Sequence, residues 1–398
     1  MKRTVNIVLI IIIAILTFTP IIGYFPFFRR TWIFLLMGLC AIAVMHKTYH
    51  LHKGFLLLGI ASMIMFLNVL SHDAYYNTIN SVIVEISMIV LASTMFLYSK
   101  NGHYGAEFLK WSIYTTFGIV AIETIASFIL DLGYPGIIRT LFSESIRTGE
   151  RDELLYPYYR MGLSNYILPH ALPMLIPPLF MGIRDKNISI KFRIWALTFL
   201  FLVLLLIWLS GVMTAFLLSL LSIIISVFIS RGKIKDMKPL IVWVSIFILP
   251  FILFDDLTFY VLQLMKSLFS GNYYITYKLQ ILEESLTMQQ ATGDLAERQN
   301  LYMISINEFA NNILIGTSNS LGNHSMFLDR LATLGVIGFI PYIMFYVIQL
   351  TVIRRTIAPH NLIYYDESVW IGILMMTLKG ITSWEIFFTL FMEWATLS

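Results

Sequence analysis

The chain has 398 residues, of which 58% are hydrophobic and only 13% charged, and its mean hydropathy is +0.79. A soluble domain carries roughly 25% charged residues, so this composition excludes one and predicts an all-α polytopic membrane protein. The net charge of +4 identifies no partner, because membrane proteins distribute Lys and Arg by side.

Apolar runs near 18 to 22 residues read as spans. In chain order they fall at about 5–22, 32–46, 54–70, 79–98, 111–130, 166–183, 194–210, 212–229, 240–254, 328–350 and 369–391, about 11 in all. The first follows Met1-Lys-Arg and has no small-x-small cleavage site, so it reads as an uncleaved helix. Cys40, the one cysteine, lies in the second run and excludes an internal disulfide or a cysteine metal site. The last run holds Lys379-Gly380 at its middle, which leaves two forms open: one helix with a buried Lys, or a broken pair.

One set of short loops carries 16 Lys and Arg, from Lys2 and Arg3 to Arg354 and Arg355. The opposite short loops carry Arg29 and Arg30 alone. The basic side is therefore expected to be cytoplasmic, with the N-terminus inside. Two long segments, about 131–165 and 255–327, fall outside. With no internal repeat, the chain reads as a single membrane domain over 1–398. A large external loop containing helices precedes the penultimate span.

The second segment sets three cations, Lys266, Lys278 and Arg298, against seven carboxylates. It is no polybasic surface for nucleic acid or lipid. Within it, 294–312 reads as an amphipathic helix near the membrane surface, with Leu301, Ile304 or Ser305, and Phe309 on one face. Arg298, Tyr302 and Ser305 share a second face, and Asn311-Asn312 with Gly316 signals the end. An Arg at the helix N-terminal end suits a phosphate. The plainer alternative is a local pair with Asp294 or Glu297.

His324 follows a Gly322-Asn323 turn. A neutral imidazole there can accept a proton from a hydroxyl, or can be an interfacial His satisfied by backbone. Gly335 and Gly338 in the next span permit close helix approach. Arg160 closes the first segment, which also holds Arg147 and Arg151. The span after Arg160 contains Pro169, His170, Pro173, Pro177 and Pro178. So many prolines predict a broken helix, which usually lines a cavity. His170 is a polar intramembrane residue, either functional or a hydrogen-bonded packing group. Glu85, Glu123, Asp329, Arg330, Lys379 and Glu385 are the other ionisable groups within spans, Asp329 and Arg330 also serving as simple anchors for theirs. No nucleotide loop, His-x-x-x-His pair on a helix, Gly-x-Ser-x-Gly or cluster of external carboxylates calls for ATP, zinc or an acyl-enzyme.

Three short motifs, in order and on one side, carry a resemblance. They are Arg160-Met-Gly162, Arg298-x-x-x-Tyr302 running to Asn312-Ile-Leu-Ile-Gly316, and His324-Ser-x-x-Leu328 running to Leu334-Gly335-Val-Ile-Gly338. The chain resembles the bacterial O-antigen polymerase and ligase superfamily of integral membrane glycosyltransferases. Ser325 and Ile313 stand where Asn and Pro are common in that family, which weakens a ligase reading more than a polymerase one. The resemblance implies polymerisation of undecaprenyl-diphosphate-linked oligosaccharide repeat units into capsule, O-antigen or exopolysaccharide at the outer face of the bacterial plasma membrane. It implies no cofactor and no metal, and as partners the lipid bilayer, a chain-length regulator and a flippase, with no nucleic acid. On this reading Arg160 and Arg298 hold the diphosphate and His324 meets the acceptor hydroxyl. Arg147, Arg151, Tyr302 and His170 are further candidates for binding the diphosphate or glycan. The alternatives are a ligase with the same chemistry, and a flippase, which should show repeated halves that are absent here.

Overall fold

A computed structural model describes residues 60, 63, 102–133, 167–185, 188–232, 255–268, 270–271, 273–288, 293–317, 321, 325–379 and 391–392. The expected spans at 5–22, 32–46, 79–98 and 240–254 lie outside these residues, as do nearly all of 54–70 and the residues Cys40, Glu85 and Glu385. Among the described residues all regular structure is helical. Among the described residues four helices are long and apolar enough to cross a membrane: Leu109–Leu132, Ile190–Ser210, Met213–Ser230 and Met326–Arg354. Each coincides with an expected span.

Helix α1 (Gly102–Gly133) buries a face of small hydroxyl residues. Ser112, Thr116 and Thr124 donate to Leu109 O, Ser112 O and Val120 O at 2.8, 2.9 and 2.6 Å. Hydroxyls bonded back to their own helix can be buried without an outside partner. The proline-rich span is broken as expected. It consists of α2 (Ile167–Ala171), a 3₁₀ turn (Leu172–Leu175) and α3 (Ile176–Arg184). Pro178 has no N–H to give Met174 O, four residues back. Ser368 Oγ donates to that carbonyl instead, at 2.6 Å.

Helix α4 (Ile190–Ser210) starts at a Ser189 cap and stops at Gly211, which has φ +61. It packs on α1 through the rings of Phe117, Trp195 and Phe199, whose centroids are 5.2–5.4 Å apart. Helix α5 (Met213–Ser230) follows directly. Three helices then fill the long segment: α6 (Asp255–Leu268), α7 (Tyr273–Met288) and α8 (Gly293–Asn311). Lys266 pairs with Glu283 between α6 and α7, and this hydrogen bond holds the Glu283 carboxyl below the usual range. Helix α9 (Met326–Arg354) and α10 (Leu362–Leu378) complete the described bundle.

Helix α10 corrects the last expected span. It begins at Leu362 rather than near 369, which brings Asp366 and Glu367 into the helix. It ends at Leu378, where Lys379 turns to extended backbone (φ −143, ψ 136). Lys379 is buried, residues 391–392 are helical, and 380–390 lie outside the described residues. Of the two forms left open by the sequence, the broken one is adopted at Lys379. Glu367 is fully buried and accepts from Ser222 and Ser226 of α5 at 2.9–3.0 Å.

The two ends of the bundle differ. Leu262 and Leu279 of α6 and α7 pack with Trp208 and Met213 beside the α4–α5 turn. Helix α7 packs on α8, and α8 on α9. Tyr302 of α8 donates to Leu378 O at the end of α10. Helices α6 to α8 therefore gather at one end. At the other, Arg193 Nε donates to Asp185 O, His360 lies 3.6 Å from Asp185, and Arg354 binds Asp366 through two bonds of 2.8 and 2.9 Å.

Candidate functional site

The end of α8 and the middle of α9 are joined backbone to backbone. Asn312 N donates to Glu308 O, and its side chain does the same at 3.2 Å, closing α8. Gly316 N then bonds Asn312 O at 2.9 Å, curling 312–316 into a tight turn. This turn meets α9 at Gly335, which has φ +57 and ψ −176 in an otherwise helical run. Only glycine adopts that conformation readily.

A break of this kind strands the helical partners around it. In an unbroken helix Val336 N would bond Ala332 O, and Ile337 N would bond Thr333 O. Here Thr317 N takes Ala332 O at 2.9 Å, while Val336 N and Ile337 N donate to Ile313 O and Leu314 O at 2.8 and 3.1 Å. The turn thus replaces what the break removes. The fit requires two glycines. A Cβ on Gly335 would lie 2.5 Å from Leu314 C and O, and one on Gly316, at φ +85, would lie 2.3 Å from Thr333 O. This corrects the expectation for Gly335: what approaches it is a loop, not a helix. The first two N–H groups after the break are also taken, so this helix start offers them to no anion.

Beside this joint, α8 reaches α9 and α10 through polar side chains. Ser305, buried, donates to Asp329 Oδ1 at 2.5 Å. Thr333 Oγ1 donates to Asp329 O at 2.8 Å. Tyr302, half-buried, donates to Leu378 O at 3.0 Å, and Met326 N to Lys379 O at 3.2 Å. Ser325 caps α9, accepting from Leu328 N. Arg330 of α9 and Lys379, which follows α10, are 7% and 6% exposed. Burying such charges is costly without hydrogen bonds or counter-charge.

The expected helix at 294–312 is present, and the structure chooses between the two residues left open on its packed face. Leu301 and Phe309 are half-buried, as anticipated, whereas Ile304 is exposed and Ser305 buried. The face turned to α9 is thus set by the Ser305–Asp329 bond. Arg298 belongs to α8, four residues before Tyr302, and its side chain lies outside the described residues. Arg147, Arg151, Arg160 and His324 also lie outside them. His170 is buried on α2, which packs on α4, α5 and α10. It belongs to a different set of neighbours from Tyr302, linked to it through α10. Asp329 does more than anchor its helix, since it ties α9 to α8. The sequence flagged Arg330 and Lys379 as intramembrane charges, and both are buried. Glu123 is buried on α1, and neither carboxylate oxygen has a hydrogen-bond partner among the described residues.

Compared with known proteins, the chain matches no family model, no curated protein and no solved structure. The class that the described residues define is an all-helical protein with several helices long and apolar enough to cross a membrane and a set of helices at one end.

Proposed function

We propose that this chain is an integral membrane glycosyltransferase that polymerises undecaprenyl-diphosphate-linked oligosaccharide repeat units. The observation that carries the reading is the joint between 312–316 and 332–337. Two of the motif segments behind the resemblance, distant in sequence, interlock through backbone bonds. The joint ties the helix bearing Arg298 to the span that the chain enters directly after His324-Ser325. The Lys/Arg bias of the end that holds Arg184, Arg193, Arg231, Arg354 and Arg355 supports a cytoplasmic assignment for it, with α6 to α8 on the outer face.

In the proposed reaction an acceptor sugar hydroxyl attacks the anomeric carbon of the carrier-linked glycan. A new glycosidic bond forms, the bond to diphosphate breaks, and undecaprenyl diphosphate leaves with the electron pair. The hydroxyl proton passes to His324, acting as base. Arg160 and Arg298 offer permanently charged, bidentate donors to the diphosphate and stabilise the charge growing on it. Arg147 and Arg151 extend that positive field. Tyr302, one turn after Arg298 on α8, contacts the glycan or diphosphate, whereas His170 is buried among α4, α5 and α10 and is left out of this contact.

The test is the glycan length profile of cells lacking the protein, complemented with wild type or His324→Ala at equal membrane levels. Long chains with wild type and single units with His324→Ala are expected. Equal long chains with both would overturn the site and favour a flippase. Long chains held on carrier lipid but absent from the acceptor in the deletion strain would make the protein a ligase.

A further inference from the structure

The turn after α8 ends in three consecutive apolar residues, Ile313, Leu314 and Ile315, which are 50%, 64% and 54% exposed. A water-exposed loop has no physical reason to present such a tip. Its level is fixed by its bonds: Ile313 O and Leu314 O accept from Val336 and Ile337, inside a helix that is long and apolar enough to cross the membrane. About 20 helical residues cross the hydrocarbon layer. Counted back from Arg354, whose guanidinium is held at the polar end by Asp366, they reach the neighbourhood of Gly335. The tip thus sits where hydrocarbon begins. It also continues a lipid-facing stripe on α9, since Ile337, Ile340, Met344 and Val347 recur at helical spacing and are all exposed.

We infer that Ile313–Ile315 form a re-entrant tip that inserts among the acyl chains of the leaflet nearer Met326. The occupant of this apolar surface is bilayer lipid. The polar backbone of the dip is tolerated at that depth because the broken helix satisfies it. Each inserted side chain removes apolar area from water, so the tip pins the C-terminal end of α8 to the membrane surface. The inference needs no assumption about the chemistry, and its failure would leave the glycosyltransferase reading where it stands.

The test uses the full chain in phosphatidylcholine vesicles, with Cys40→Ala as background and one new cysteine carrying an environment-sensitive fluorophore. Leu314→Cys and Ile315→Cys report the tip. Asn300→Cys, exposed on α8, is the control. Thermal midpoints matching the background identify the folded variants, and either tip position suffices. At the tip, most of the emission should be lost when the acyl chains are brominated, and little to aqueous iodide. The control should show the reverse. Quenching of the tip by iodide would overturn the inference. So would quenching by neither agent, which would mean that protein covers the tip.

Discussion

Gly335 and Gly316 place two backbones against each other where no side chain fits. Gly335→Ala meets two costs. The backbone conformation alone is worth about 1–3 kcal/mol to a residue with a Cβ. The added methyl must also push back Leu314 and Gly316, which would free Ile313 O, Leu314 O and the N–H groups of Val336 and Ile337. We expect Gly335→Ala and Gly316→Ala each to lower the thermal midpoint and to speed protease cleavage between 293 and 325, whereas Gly271→Ala, with open space around it, should do neither. Unchanged cleavage in both glycine variants would mean that the joint is not what holds α8 in place. The sequence made the glycines conspicuous, but their partner is a loop separated by some 20 residues, which helical periodicity does not reveal.

Helix α10 is the element that ties the bundle together. Its first half binds α5 through Glu367 and the broken span through Ser368, and its last carbonyls bind Tyr302 and Met326. The Ser368 bond answers a defect written in the sequence, the missing N–H of Pro178. Ser368→Ala leaves Met174 O buried without that donor, at a cost of about 1–3 kcal/mol. Pro178→Ala restores an N–H four residues after Met174 and should recover part of the loss when combined with Ser368→Ala. Chemical or thermal unfolding of the two single variants and the double variant measures the coupling; simple additivity would show that the carbonyl found another donor.

At the scale of the molecule, the polar excursions sort to two ends. Arg184, Arg193, Arg231, Arg354 and Arg355 lie at the end opposite α6 to α8. If the basic end is cytoplasmic, a membrane-impermeant maleimide should label Asn300→Cys in intact cells and Arg231→Cys only after permeabilisation, both in the Cys40→Ala background. Labelling with the opposite preference would invert the topology. It would also remove α8 from the face where carrier-linked glycan is proposed to be joined.

The amino-acid sequence alone determined the class of protein, four of its membrane-crossing helices, the break at the prolines and the helix over 294–312. These depend on local chemistry: apolar length, missing N–H groups and cap residues act within a few positions of themselves. The tertiary structure decided what depends on distant partners. Ser305 faces inward because Asp329 accepts its hydrogen bond, and Ile304 is left outside. Helix α10 starts at Leu362 because Ser222 and Ser226 satisfy the Glu367 carboxylate, a residue that hydropathy assigns to a loop. Gly335 breaks α9 because Thr317, Ile313 and Leu314 supply the bonds that the helix gives up. A polar group enters an apolar bundle only when a particular partner meets it, and that partner's position is a property of the folded chain.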